Sequence, residues 1–164
     1  MAVQNVSKSH KLESLSSQQL IDCMGGHNKG CAGGWHVSGL LYVTHQGGLE
    51  SESSYPYKAI RAAKCSFNPK QSLIASKGLY IVPYASEQAL RATLVKYGPI
   101  AVAIDNRNSR LVAYKSGVFF DQNCSSSPVD LNLSALLVGY GKDPKLGEYW
   151  ILVSKIGKPT RTPK

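Results

Sequence analysis

The chemistry this chain could perform rests on four cysteines, Cys23, Cys31, Cys65 and Cys124, and four histidines, His10, His27, His36 and His45. Thiol-based acyl transfer needs a thiolate, an imidazole that generates it and later protonates the leaving amine, and a third group that orients the imidazole. No histidine stands beside a cysteine in such an arrangement, so Cys31 as a nucleophile lacks an adjacent base. Nor do the histidines show metal-ligand spacing, and no metal and no cofactor is expected. His27 in a glycine-rich loop and His45 near a helix end, where a cation suits the helix dipole, read as surface residues. Four cysteines allow three full disulfide pairings, among which spacing does not choose.

Elements that would position these groups can be read from pattern. Ser16-Ser17-Gln18-Gln19 fits a capping box, in which the serine accepts from the first turn and a glutamine reaches back, so a short helix through Leu20, Ile21 and Cys23 should follow. Residues 24–30 are a loop by composition. A helix over residues 35–46 presents Leu40, Leu41 and Val43 and stops at Gly47-Gly48. Residues 73–82 are expected to hold one or two short strands. Ser86 caps a helix whose Leu90, Leu94 and Val95 form its apolar face, ended by Gly98-Pro99. Residues 100–104 (IAVAI) read as a strand buried on both faces. Residues 111–120 contain a Ser-Gly turn and a further strand. The apolar run Ala135 to Val138 reads as a buried strand closed by a turn at Gly139-Tyr140-Gly141, pairing through a long connection with residues 148–154 (EYWILVS).

At 164 residues, with 43% apolar and 18% charged residues, the composition is that of a globular domain rather than a disordered chain. No apolar run approaches the roughly 20 residues needed to cross a bilayer, and no membrane partner is expected. Residues 1–20 lack a secretory apolar segment. The charge of +9 is spread along the sequence and dense only in residues 155–164. No recognition motif accompanies it, so ordinary solvated basic surface, and no nucleic acid, is the reading.

Several motifs in order resemble papain-like cysteine proteases, most closely the cathepsin L group. They are LSSQQLIDC (15–23), GCAGG (30–34), GLESESSYPY (48–57), GPIAVAID (98–105) with YKSGVFF (114–120), and the pair around GYG (139–141) and EYWILVS (148–154). The resemblance covers about residues 12–156. It implies an α+β, papain-like two-lobe fold that is incomplete, with the central nucleophile helix and C-terminal strands missing. The lobes would be a remnant of the helical left lobe (1–77) and a strand-rich right lobe (78–156), followed by a mobile basic tail (157–164).

The resemblance also implies that Leu133 stands at the position of the family's histidine and Ser154 at that of its orienting asparagine, with Ile156 replacing a shielding tryptophan. The nucleophile-bearing segment would precede this chain. Gly33 and Gly34 would then line a residual cleft wall, Trp35 and His36 the edge of a side-chain pocket, and Ala103 and Asn132 its floor and mouth. Trp35 read on its own is equally a packing residue. Cys23 would pair with Cys65, leaving Cys31 and Cys124 as orphan thiols.

With both proton-transfer positions replaced, the resemblance implies a catalytically inactive, truncated homologue that binds a peptide, a protease inhibitor or another protein. The alternative is a fragment of an active lysosomal or secreted cysteine endopeptidase. Poor stability is expected, because each lost disulfide costs roughly 2 to 5 kcal/mol. Sequons at Asn5, Asn123 and Asn132 would permit glycosylation if the chain is secreted.

Overall fold

The computed structural model describes residues 13–26, 28–76, 78–107 and 110–154, and of Arg110 and Val112 the backbone alone. Expectations attached to residues 1–12 with His10 and the Asn5 sequon, to His27, to the boundary at Lys77, and to residues 155–164 with Ile156 and the basic tail lie outside the described residues. The elements run α1 (Ser17–Cys23), a 3₁₀ turn (Gly30–Ala32), α2 (His36–Gln46), a 3₁₀ turn (Pro69–Gln71), α3 (Glu87–Tyr97), β1 (Ile100–Ile104), a 3₁₀ turn (Arg110–Ala113), β2 (Leu133–Asp143) and β3 (Gly147–Val153). Helices and an antiparallel sheet make an α+β fold, divided into two compact units, Met1–Ile81 and Val82–Lys164.

In the first unit, Ser16 Oγ accepts from the Gln19 amide at 2.9 Å and starts α1. The return arm of the capping box does not form. The Ser16 amide already donates to the Glu50 carbonyl at 3.0 Å, so Gln19 is free to serve the neighbouring segment. Its Oε1 accepts from the Glu50 amide at 2.9 Å, while its Nε2 donates to Tyr42 Oη and the Gly48 carbonyl.

The buried side of α1 is polar, formed by Gln18, Gln19 and Asp22. Asp22 Oδ1 accepts from Gln18 Nε2 and the Ala62 amide, both at 2.8 Å, and Oδ2 from Tyr55 Oη at 2.9 Å. Gln18 also accepts from the Lys58 amide and donates to the Ile60 carbonyl. Glu50 Oε1 accepts from the Asn68 amide at 2.8 Å. Buried side chains thus take up the backbone groups of residues 58–68, which no helix or strand satisfies.

Helix α2 ends at Gly47, whose φ of 84° is the left-handed cap. Its inward line is Gly39 and Val43, one helical step of four apart, with Gly39 over Met24. Leu41 falls off that line and is exposed. Residues 73–76 and 78–82 form no strand, only an isolated bridge between Leu49 and Ile74. Ser72 Oγ donates to the Ile74 carbonyl at 2.7 Å, and this local bond competes with a longer ladder.

In the second unit, Ser86 Oγ accepts from the Ala89 amide at 3.2 Å and caps α3. Leu94 is buried, but Val95 is 70% exposed and does not belong to the apolar face. The sheet has the order β1-β2-β3, antiparallel throughout. β1 is half-buried at all five positions rather than buried on both faces, since α3 lies chiefly against β2.

β2 does not turn at Gly139. It continues to Asp143, because Gly139 pairs with Ile151 and Gly141 with Tyr149, after an irregularity between Leu137 and Gly139 that accommodates Val138. The connection to β3 is short: Asp143 Oδ1 accepts from the amides of Lys145 and Leu146 at 2.8 and 2.9 Å. The strand expected near residue 118 is absent. Arg110–Ala113 is a 3₁₀ turn instead, and Tyr114 Oη reaches the Gly117 carbonyl at 2.6 Å.

Candidate functional site

The candidate residues of the second unit gather at one end of its sheet. Ile104 pairs with Leu133 and Ala103 with Ser134 where β1 meets β2. Just before β2, the Asn132 amide donates to the Ile104 carbonyl at 3.1 Å, and its Oδ1 accepts from the Asn106 amide at 2.8 Å. Just after β3, Ser154 Oγ donates to the Ser134 carbonyl at 3.0 Å. Ala103, Asn132, Leu133 and Ser154 are therefore neighbours along two ladders and their extensions.

Their chemistry is inert to proton transfer. Leu133 offers only a half-buried aliphatic chain, Ser154 a hydroxyl committed to a carbonyl, and Asn132 a carboxamide committed to an amide. Asp105, just after β1, accepts from the side chain and amide of Arg107 and from the Ser125 amide. The Arg107 guanidinium and these amides hold its carboxyl far below the usual range, so it is a fixed anion and a poor base. Arg107 also reaches Asp130 at 2.7 Å, tying the loop after β1 to the approach to β2.

In the first unit, Gly33-Gly34-Trp35 is an exposed segment leading into α2. Gly33 has φ 104° and ψ 179°, a conformation that side-chain-bearing residues avoid, and its carbonyl accepts from the Lys29 amide at 2.9 Å. A Cβ on Gly34 would collide with the carboxamide of Asn28, whose Oδ1 accepts from the Trp35 amide at 3.2 Å. Asn28 is the residue that sequence reasoning missed. Within a glycine-rich loop its only signal is that of a turn former, which does not say which backbone it will hold.

Trp35 is 46% exposed and leans on His36, with ring centroids 5.9 Å apart. Burial pushes the half-buried His36 imidazole below its ordinary value, which favours its neutral form. Cys23 and Cys65 form a disulfide with a Cα–Cα distance of 4.7 Å, which fastens the last residue of α1 to the irregular segment after Tyr55. Cys31 and Cys124 are free and exposed, and the contact of Cys31 is the Ala59 carbonyl at 3.7 Å. Among the described residues no cluster of three His, Cys, Asp or Glu could hold a metal, and no helix is long and apolar enough to cross a membrane.

Comparison with known proteins matches residues 1–157 to the model of the papain family cysteine proteases. The chain is 40% identical over 155 residues to a cathepsin L-like protein of Caenorhabditis elegans, covering 94% of this chain and 45% of that protein. It is likewise 40% identical to digestive cysteine proteinase 1 of Homarus americanus, covering 91% and 46%. Among solved structures, digestive procathepsin L 3 of Tenebrio molitor larval midgut superposes with a TM-score of 0.81 at 42% identity, covering 92% of this chain and 48% of that one. The chain thus spans about half the length of the relatives it matches.

Proposed function

The chain belongs to the papain family of cysteine proteases, with cathepsin L-like relatives and about half of a papain-like fold, and on that premise we propose that it is a catalytically inactive member whose role is to bind an extended peptide. One observation carries the reading: the sequence has no histidine after His45, so no imidazole is available anywhere in the second unit. At the sheet end the positions that resemble those of the proton-transfer pair hold Leu133 and Ser154. An aliphatic chain and a hydroxyl cannot generate a thiolate or protonate a leaving amine, and loss of such a unit costs on the order of 10⁶ in rate.

Binding, in this reading, falls to the segment Gly33-Gly34-Trp35. Glycine lets an extended peptide approach the backbone closely, and the exposed Trp35 face supplies apolar contact for a side chain. A peptide-based protease inhibitor would use the same groups. The test is hydrolysis of fluorogenic peptide amides by the purified chain, with and without a thiol-directed epoxide. No turnover is expected, and none from the double variant Leu133→His, Ser154→Asn. Epoxide-sensitive cleavage by the unchanged chain overturns the reading, whereas cleavage by the double variant alone would overturn the structural role of Cys31.

A second reading is favoured by the coverage of the relatives, about half of their length: the chain is part of an active endopeptidase that carries its nucleophile in a further segment. Leu133 and Ser154 speak against it, since they lie within this chain. Sequencing of the full transcript decides. An in-frame nucleophile-bearing segment whose product cleaves peptide amides would establish the second reading.

A further inference from the structure

We infer that Asn123 carries an N-linked glycan and that Asn132, in the other acceptor motif among the described residues, does not, a property independent of whether the chain binds or cuts peptides. As short sequence patterns, Asn123-Cys124-Ser125 and Asn132-Leu133-Ser134 have equal standing. The fold separates them.

The first motif lies on a turn whose backbone is held on both sides. The Asn123 amide donates to Asp121 Oδ1 at 3.0 Å and the Cys124 amide to the Asp121 carbonyl at 3.2 Å, a turn set by the aspartate. Beyond it, the Ser125 amide donates to Asp105 Oδ2 at 2.9 Å, and Tyr84 Oη donates to the Ser126 carbonyl at 2.6 Å. Between these anchors Gln122, Asn123 and Cys124 are exposed, and the Asn123 carboxamide makes no hydrogen bond among the described residues. Nothing in the fold has to break for its Nδ2 to react, and a bulky group there extends into solvent. Cys124, the middle residue, is a free thiol, so no disulfide closes the motif.

The second motif is engaged at every residue. Asn132 Oδ1 accepts from the Asn106 amide at 2.8 Å, and its own amide donates to the Ile104 carbonyl at 3.1 Å. Leu133 and Ser134 belong to β2, where they pair with Ile104 and Ala103, and the Ser134 carbonyl accepts from Ser154 Oγ at 3.0 Å. Asn132 is itself exposed, so exposure does not decide between the two. Commitment of carboxamide and backbone does, because transfer at Asn132 requires the end of the sheet to open.

Two observations bear on why the first motif would be used. The Cys23–Cys65 disulfide belongs to an oxidising compartment, and the secretory lumen where such bonds form is also where asparagine is glycosylated. Phe120 and Val129, on either side of Asn123 in sequence, are exposed apolar side chains, which a glycan would screen from other chains. In the transfer, Asn123 Nδ2 bonds to the anomeric carbon of an oligosaccharide carried on a lipid diphosphate. The bond from that carbon to the diphosphate oxygen breaks, the diphosphate leaves with the electron pair, and the nitrogen gives up one proton.

The test directs the whole chain into the secretory route of cultured eukaryotic cells behind a cleavable leader. Peptide mapping of the secreted protein after peptide-N-glycosidase, which leaves aspartate wherever an asparagine carried a glycan, then reads each motif separately. Position 123 is expected as aspartate in most of the protein and position 132 as unchanged asparagine. Before glycosidase treatment, Asn123→Gln should lose the mass of one glycan and Ser134→Ala none. Conversion at 132 equal to that at 123, conversion at neither, or an unchanged glycan mass in Asn123→Gln would each overturn the proposal.

Discussion

The two units of this chain are built on opposite principles. The first buries Ser16, Gln18, Gln19, Asp22 and Glu50 beside Met24, Val43, Leu49 and Tyr55, so its interior is as polar as it is apolar. In the second, the buried side chains among the described residues are Leu94, Ala135 and Leu137, and order comes from the ladder joining β1, β2 and β3. The lesson concerns where backbone groups find partners. A sheet satisfies its own, whereas residues 55–68 have no ladder and depend on side chains that α1 sends inward. No buried side-chain nitrogen or oxygen among the described residues lacks a partner. The first unit should accordingly fail when one polar atom is lost, and the second when one apolar volume is lost.

The largest effect is expected from Asp22→Ala. It removes at once the acceptor of the Ala62 amide, of the Tyr55 hydroxyl and of one of the two Gln18 Nε2 hydrogens, at a cost of about 3 to 5 kcal/mol. Hydrogen exchange should accelerate in residues 58–66 while residues 133–143 keep their protection. If protection is lost equally in both units, the division of principles is wrong. Asp22→Asn should cost less, since it keeps one carbonyl acceptor.

Leu137→Ala is the matching change in the second unit. Leu137 is 1% exposed in the middle of β2, and its truncation should cost about 2 to 5 kcal/mol, the usual range for such a cavity. Protection of β1 and β3 should fall together with that of β2, and residues 58–66 should be untouched. A loss below about 0.5 kcal/mol would mean that the ladder, not the packing of that face, carries this unit.

This contrast also explains how far the sequence alone could be read. Ser16 and Ser86 announce their helices because a cap acts within three residues, and both do cap. The partners of Gln18 and Asp22 lie 33 to 42 residues away on backbone of no regular pattern, so nothing local marks them. Gly139 and Gly141 suggest a turn by local preference, and only pairing with Ile151 and Tyr149 keeps them in the strand. Of the candidate site, Leu133 and Ser154 were legible as candidate positions from the motifs around them, and the structure brings both to one end of the sheet. The hold of Asn28 on the Trp35 amide and of Asn132 on the Asn106 amide was not, because each is a side-chain contact to backbone that the fold alone creates.

Acid should distinguish the interior of the first unit by a smaller margin. Burial by itself would raise the Asp22 carboxyl, but the hydrogen bonds from Ala62, Gln18 and Tyr55, with the charge of Lys58, outweigh it and hold the group below its ordinary value of 3.8. The folded state therefore prefers the anion. That stabilisation is complete above the ordinary value and is lost as the pH falls through the lower folded one. Melting temperature followed from pH 6 downward should decline less steeply for Asp22→Asn than for the unchanged chain. The effect is smaller than deletion, because a protonated carboxyl still fills the site and still accepts. Parallel pH curves for the two proteins would show that Asp22 binds its proton alike in folded and unfolded chains.

The smallest change concerns the surface of the second unit, where charge is present but should matter little. Arg91 lies over the Tyr140 ring, 4.3 Å from its centroid, and meets Glu148 at 3.3 Å, with Trp150 edge-on to Tyr140 at 6.2 Å. Both charged partners are exposed, so solvent and salt screen the pair. Glu148→Gln should shift the melting temperature by no more than about two degrees, and about 0.5 M salt should abolish even that. Arg91→Ala should cost more than Glu148→Gln, because it removes the guanidinium from the aromatic face and uncovers Tyr140 on β2 as well as breaking the ion pair. If the two substitutions are equal and both vanish in salt, the contact of Arg91 with Tyr140 contributes nothing. If Glu148→Gln rivals Leu137→Ala, the second unit is held by charge after all, and its contrast with the first disappears.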